Sequence, residues 1–136
     1  MKKTGLILAA CAVLIAAFFV FTEPASSPEV NKQPTARLSF SLVTKEVKGG
    51  SATLLDVRTP EEYAAGHFEN AVNLSLQDIE AGKLPGSAKT QPLYVYCRSG
   101  NRSTQATTLL RNAGYTVVTD LGGLDDVKAM GGTLVN

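Results

Sequence analysis

The sequence predicts an α/β fold, a three-layer sandwich with a mostly parallel central sheet of about five strands flanked by helices. Two observations predict it. Residues 52–57 and 93–96 form short runs that are apolar almost throughout, which is typical of strands buried on both faces. Helical patterns separate these runs, and such alternation is typical of parallel sheets. In sheets of this kind, ligands bind beyond the carboxyl ends of the strands.

Length and charge limit what else the chain can be. Its 136 residues include 13 lysines and arginines and 12 acidic residues, and no basic cluster resembles a nucleic-acid footprint. We therefore expect no nucleic-acid partner. Once the ends are set aside, about 100 residues remain, enough for one domain with a single core.

The amino-terminal end predicts export from the cytosol. Two lysines precede an uncharged apolar run, so residues 1–21 are interpreted as a signal anchor or a signal peptide. Residues 22–36 are rich in proline and serine and are interpreted as a flexible tether to a domain at residues 37–136. With the lysines on the cytoplasmic side, an anchor in the bacterial inner membrane would place the domain in the periplasm.

Two alternatives remain open for this segment. Cleavage would leave a periplasmic or secreted domain, although no clean cleavage site follows the apolar run. The string Leu-Ala-Ala-Cys at residues 8–11 resembles the lipobox of bacterial lipoproteins, in which Cys11 would carry acyl chains. The apolar run continues well beyond Cys11, which favours the anchor.

The first elements are indicated by caps, apolar runs and glycines. Ser39 or Ser41 is suited to cap a short helix that ends at Gly49. The first strand follows at residues 52–57, and Pro60 is suited to begin the next helix.

The later elements continue the alternation. A second strand is predicted at residues 71–74, followed by a helix that includes Leu76, Ile79 and Leu84. The strand at residues 93–96 comes next. The remaining elements are a helix that begins near Arg102 and precedes Gly114, a strand at residues 116–119 and a short helix at residues 124–130.

The loop after residues 93–96 is the most informative feature of the chain. Cys97 opens the loop Cys-Arg-Ser-Gly-Asn-Arg at residues 97–102, and a helix begins at once. Backbone N–H groups at a helix amino terminus and nearby arginines favour the thiolate form of a cysteine. Cys97 could instead be an ordinary core residue, but the polar segment after it would be an unusual continuation of a buried strand. We therefore predict that Cys97 is a nucleophile acting on an anionic substrate.

Other chemistry is not indicated. The exported domain has no second cysteine besides Cys97, so we expect neither an internal disulfide nor a thioredoxin-type pair. One histidine and one exported cysteine cannot supply a usual zinc site, and no glycine-rich nucleotide motif precedes a helix. We expect no metal and no cofactor.

Several motifs in the right order carry a resemblance to a known family. They are Leu-Asp-Val-Arg-Thr-Pro-Glu-Glu-Tyr at residues 55–63, Ala-Gly-His at 65–67, Ala-Val-Asn-Leu at 71–74 and Cys-Arg-Ser-Gly-Asn-Arg-Ser at 97–103. With this combination, the chain resembles the single-domain rhodaneses over roughly residues 38–123. Its ending at residues 122–127 is more similar to the exported phage-shock type than to the commoner version, which has a tryptophan near this point.

The resemblance implies a thiosulfate sulfurtransferase. Cys97 would take the outer sulfur of thiosulfate with release of sulfite, or that of a persulfide donor with release of its thiolate. It would then pass the sulfur from its own persulfide to cyanide or a thiol acceptor, such as a periplasmic thiol protein. Loop N–H groups would surround the persulfide, and the arginine forks would suit sulfonate oxygens. The residues expected to bind the substrate are Arg98, Ser99, Gly100, Asn101 and Arg102.

Charged residues outside the loop are less informative. Asp56 and Arg58 either border the site or form an ion pair that fixes the end of the first strand, and both interpretations stay open. His67 matches a structural turn of the family, so we expect a structural role. Glu61 and Glu62 are most simply a solvated first helical turn.

Two other functions stay open. The first is that of a cysteine-dependent phosphatase or arsenate reductase. The loop of those enzymes has the pattern Cys-x5-Arg, whereas four residues separate Cys97 from Arg102 here, which argues against this class. A membrane-tethered sulfur carrier or interaction module without catalytic activity is the other alternative. The intact loop argues against it, because rhodanese-like modules without activity tend to lose the cysteine.

Overall fold

The computed structural model describes residues 38–136. The expected anchor at residues 1–21, the tether at residues 22–36 and the lipobox cysteine, Cys11, lie outside the described residues. No helix within residues 38–136 has both the length and the apolar character needed to span a bilayer.

Five helices and six strands make up this part of the chain. In order they are α1 (Phe40–Lys48), β1 (Thr53–Asp56), α2 (Pro60–Ala64), β2 (His67–Phe68), β3 (Ala71–Asn73), α3 (Leu76–Glu80), β4 (Leu93–Tyr96), α4 (Asn101–Asn112), β5 (Val118–Gly122), α5 (Leu124–Ala129) and β6 (Leu134–Val135).

The predicted α/β fold with a mostly parallel sheet is confirmed. Four parallel strands form one sheet in the order β3-β1-β4-β5. The sheet thus has four strands where about five were predicted. The strands β2 and β6, which were not predicted, pair with each other in a separate antiparallel ribbon. Both strands of that ribbon have two residues, too few for a period-two pattern to be visible in the sequence.

The core lies in two layers, one on each face of the sheet. Side chains of a strand alternate between faces, so Leu93 and Val95 of β4 pack with α3 and α4, whereas Tyr94 and Tyr96 pack with α1 and α5. Cys97 continues the first set and is fully buried. Its side chain therefore faces the layer that contains α4.

Two elements differ from their predicted bounds. The helix expected to include Leu84 ends at Glu80, because Gly82 adopts a left-handed conformation, with φ of 88°. Leu84 is 44% exposed beyond it. The strand expected at residues 116–119 begins instead at Val118, whose register opposite Leu93 sets its start.

Candidate active site

Cys97 follows the central strand β4, where neighbouring strands fix the backbone on both sides. The Val57 N–H donates to the carbonyl of Tyr96 at 3.0 Å, and the Cys97 N–H donates to that of Gly122 at 3.0 Å. The thiol is free and buried. The cysteine therefore stands at the carboxyl edge of the sheet, the edge where ligands bind in folds of this class.

The loop turns back so that a backbone donor faces the sulfur. The Gly100 N–H donates to Cys97 Sγ at 3.1 Å. Gly100 caps α4 with φ of 94°, a left-handed conformation that glycine adopts without strain. Ser103 Oγ donates to the Gly100 carbonyl at 2.8 Å and holds the turn in place. The sulfur thus lies at the amino terminus of α4, where N–H groups and the helix dipole favour negative charge.

The turn between β5 and α5 braces the first half of the loop. Leu124 N–H donates to the Arg98 carbonyl at 3.1 Å, and Ser99 forms an antiparallel bridge with Gly123. A Cβ on Gly123 would lie 2.9 Å from the Arg98 carbonyl oxygen and from Ser99 Cα, which is closer than real Cβ contacts. Glycine at this position is therefore what lets the two segments approach.

The other predicted loop residues have different environments. Arg98, Ser99 and Asn101 are exposed. The Asn101 side chain accepts a hydrogen bond from Gln105 at 2.5 Å. Between residues 38 and 136, no hydrogen bond or ion pair engages the Arg98 guanidinium. Its whole guanidinium is therefore available to an incoming anion.

Arg102 is paired with a residue that the sequence reasoning assigned to a solvated turn. Its Nη1 donates to Glu62 Oε2 at 2.6 Å and its Nη2 to Glu62 Oε1 at 2.9 Å. The two side chains are 24% and 27% exposed. Hydrogen bonding from Arg102 lowers the pKa of Glu62 to about 2, and the same bond raises the pKa of Arg102. The expectation of a freely solvated Glu62 is wrong, while Glu61 is exposed as expected.

Asp56 and Arg58 form the ion pair that the sequence offered as their architectural interpretation. Arg58 Nη2 lies 2.5 Å from Asp56 Oδ2, and the Asp56 side chain is completely buried. Tyr96 Oη also donates to Asp56 at 2.7 Å, and Arg58 donates to the Gly66 carbonyl at 2.7 Å. Burial and the bond to Asp56 raise the pKa of Tyr96. Neither charged group forms a hydrogen bond with residues 97–102 in the described part of the chain.

His67 lies on β2, paired with β6. Its ring stacks on that of Tyr63 with centroids 3.9 Å apart, and its Nδ1 is 3.2 Å from the Tyr63 carbonyl oxygen. No three His, Cys, Asp or Glu side chains of the described segment gather closely enough to hold a metal ion.

Sequence reasoning missed the roles of Glu62 and Gly123. Thr59 and Glu62 form a capping box, a local pattern that could have indicated that the Glu62 carboxylate is held at the start of α2 and is not freely solvated. Its partner, Arg102, is 40 residues away, so no local signal could have indicated the pair.

Comparisons with known proteins agree with this architecture. A family model described as Rhodanese-like domain matches residues 39–130. Thiosulfate sulfurtransferase PspE of Escherichia coli is 38% identical over 76 residues, covering 54% of this chain and 71% of the relative. The human thiosulfate:glutathione sulfurtransferase is 34% identical over 87 residues, covering 54% of this chain and 76% of the relative.

Solved structures give the same result. The Rhodanese-like domain of the Alr3790 protein from Anabaena matches with a TM-score of 0.58 at 30% identity, covering 74% of this chain and 98% of that chain. The human single-domain sulfurtransferase TSTD1 matches with a TM-score of 0.55 at 28% identity, covering 63% of this chain and 88% of that chain.

Proposed function

This chain belongs to the Rhodanese-like domain family, and we propose that it is a sulfurtransferase that works through a persulfide on Cys97. The donor is thiosulfate or a persulfide, and the acceptor is cyanide or a thiol. Relatives named thiosulfate sulfurtransferase and thiosulfate:glutathione sulfurtransferase support the reaction class.

One observation carries the proposal. The sulfur of Cys97 accepts a hydrogen bond from the Gly100 N–H at 3.1 Å, in front of the amino terminus of α4. A donor in this position stabilises negative charge on sulfur, both in the attacking thiolate and in the persulfide that follows. A thiol serving only as a core residue would not need a loop that turns a backbone N–H towards it.

Sulfur transfer takes two displacement steps, one onto Cys97 and one from Cys97 to the acceptor. The Cys97 thiolate attacks the outer sulfur of thiosulfate, the new S–S bond forms, and the bond to the sulfonate sulfur breaks with its electron pair leaving on sulfite. Cyanide or a thiolate then attacks the outer persulfide sulfur, and Cys97 returns as a thiolate. Each step is a displacement at sulfur by an attacking anion.

The exposed loop residues suit recognition of the donor. Arg98 offers a planar, permanently charged fork without a partner among residues 38–136, and such forks bind the oxygens of oxyanions. Ser99 and Asn101 flank the turn at Gly100 and complete the loop. In this proposal Asp56 and Arg58 support the end of β1 beside Tyr96 and do not touch the substrate.

We also propose that residues 1–21 anchor the protein in a bacterial inner membrane with the domain in the periplasm, where a thiol protein could accept the sulfur. The two lysines followed by an apolar run support this orientation. Protease added to spheroplasts should digest the domain. Protection until the membrane is lysed would contradict the proposed topology.

Mass spectrometry of the intact chain tests the chemical step. After incubation with thiosulfate, the full chain in a mild detergent should gain the mass of one sulfur atom, and cyanide should remove it with release of thiocyanate. Cys97→Ser should gain nothing. A sulfur that is gained but not transferred would favour the carrier alternative, and no gain by folded, reduced protein would contradict the proposal.

A further inference from the structure

We propose that Glu62 is a positioning residue of the site: by binding both nitrogens of the Arg102 fork, it fixes that cation beside the loop and gives Cys97 a preference for anionic reactants. The inference rests on the proposed function, since the reactant of interest is a thiosulfate-like anion. It adds a residue from α2, outside the loop, to the determinants of donor selection.

The contact has the geometry of a fixed fork. Both carboxylate oxygens of Glu62 accept from Arg102, at 2.6 and 2.9 Å. This bidentate arrangement restrains the guanidinium plane as well as its position. A guanidinium has five N–H donors, and those of Arg102 that do not bind Glu62 have no partner among residues 38–136, so they are available to contact an anion.

Glu62 can hold Arg102 because its own carboxylate is held. Oε2 also accepts from the Thr59 N–H at 3.0 Å, while the Glu62 N–H donates to Thr59 Oγ1 at 3.3 Å. The next residue, Tyr63, is tied to β3 by a bond from its hydroxyl to the Ala71 carbonyl at 2.7 Å. The carboxylate is thus attached to the sheet through α2.

Arg102 lies in the first turn of the helix whose amino terminus faces the sulfur. It is the second residue of α4, and Gly100, which caps that helix, donates to Cys97 Sγ. The hydrogen bond to Glu62 is the main cause of the raised pKa of Arg102, burial opposes it, and Cys97 and Asp56 make smaller electrostatic contributions that also raise it. The guanidinium fixed by Glu62 therefore belongs to the first turn of the helix whose amino terminus faces the sulfur.

Two other roles of Glu62 would have different effects on the preference for anions. If Glu62 acted only through its negative charge, it would weaken the attraction of anions, and removing that charge would strengthen anion selection. If the pair only joined α2 to α4, removing the charge would change stability and leave the selection unchanged. The sign of the change therefore separates the three explanations.

Alkylation of Cys97 by two reagents measures the selection without requiring sulfur transfer. Iodoacetate is anionic and iodoacetamide is neutral, and the ratio of their rates reports how strongly the site prefers an anion. The measurement uses the full chain with Cys11→Ser, so that Cys97 is the one remaining thiol. Glu62→Gln keeps a residue type that supports a capping box and removes the ion pair.

We expect the ratio of iodoacetate to iodoacetamide rates to fall about fivefold in Glu62→Gln, the effect of losing one half-buried charged contact. Glu61→Gln removes the same charge from the neighbouring exposed position and should change the ratio by less than about twofold. Arg102→Lys keeps the charge without the fork and should reproduce the fall even if Glu62→Gln does not fold.

A ratio in folded Glu62→Gln that equals or exceeds that of the parent would overturn the inference, as would an unchanged ratio in Arg102→Lys. The Michaelis constant for thiosulfate gives a second measurement and should rise in parallel. If the parent does not transfer sulfur but the ratio falls as expected, the proposed function fails while the positioning role of Glu62 stands.

Discussion

At the scale of single residues, Gly100 and its φ of 94° determine whether a backbone N–H reaches the nucleophile. The nearest atom that a Cβ at this position would meet is 3.8 Å away, so space is available and only the left-handed conformation requires glycine. The cost of a side chain here is therefore one of conformation.

Gly100→Ala should lower the free energy of unfolding by about 1–2 kcal/mol and lower the rate of sulfur transfer, because relaxing φ moves the N–H away from Sγ. Urea unfolding and thiocyanate formation measure the two effects. Gly50→Ala is the matched control: Gly50 has φ of 71° with no atom within 4 Å of the added Cβ. It should lose similar stability and keep full activity, and an equal loss of activity in both variants would argue against a specific role for Gly100.

One substitution distinguishes the two interpretations of Asp56, a residue that borders the active site or a member of an ion pair that fixes the end of β1. Asp56→Asn keeps the shape but leaves the buried Arg58 without its counter-charge, so it should cost about 3–5 kcal/mol of stability. Activity per folded molecule should change little. An active-site role would show instead as wild-type stability by urea unfolding combined with loss of sulfur transfer.

At the scale of elements, the β5–α5 turn places the loop by direct backbone contact. Gly123 has an ordinary φ of −91°, so an alanine would be conformationally acceptable there. The obstacle is the Ser99 backbone, 2.9 Å from the added Cβ. Gly123 is therefore required because a Cβ has no space there, whereas Gly100 is required because of its left-handed conformation.

Gly123→Ala should displace residues 98–99 and lower kcat/KM about tenfold or more, with a loss of stability of about 1–3 kcal/mol from overpacking. Gly86→Ala is the control, since its Cβ would meet no atom within 4 Å and its φ is not positive. It should leave both kcat/KM and the urea midpoint unchanged. Wild-type kinetics in Gly123→Ala would show that the turn does not position the loop.

The ion pair between α2 and α4 predicts a pH dependence of stability. The folded protein holds the pKa of Glu62 at about 2, below its ordinary value of 4.5. A lowered carboxyl pKa stabilises the folded state fully above the ordinary value, and this stabilisation is lost as the pH falls towards the lowered one. Urea unfolding of the parent and Glu62→Gln should differ by about 1 kcal/mol at neutral pH. The difference should shrink between pH 4.5 and about 2, and a constant difference would contradict the pairing.

At the scale of the whole molecule, the sequence predicted the sheet and the loop because both depend on contiguous residues. The apolar run of β4, Cys97 and Gly100 all lie within eight consecutive residues, so a short stretch of sequence is enough to indicate the strand and the loop. The ribbon of β2 and β6 was not predictable, because strands of two residues carry no periodicity. The pairing of Glu62 with Arg102 and the contact of Gly123 with Ser99 depend on tertiary structure, which brings together residues that are distant in sequence.

Steady-state transfer of sulfur from thiosulfate to cyanide is the decisive measurement for sulfurtransferase activity through Cys97. The full chain, reduced and held in a mild detergent, should form thiocyanate continuously, and Cys97→Ser should form none above the uncatalysed rate. This result would establish turnover through the thiol at the end of β4. Thiocyanate formation that persists in Cys97→Ser, or its absence from folded and reduced parent protein, would contradict the account.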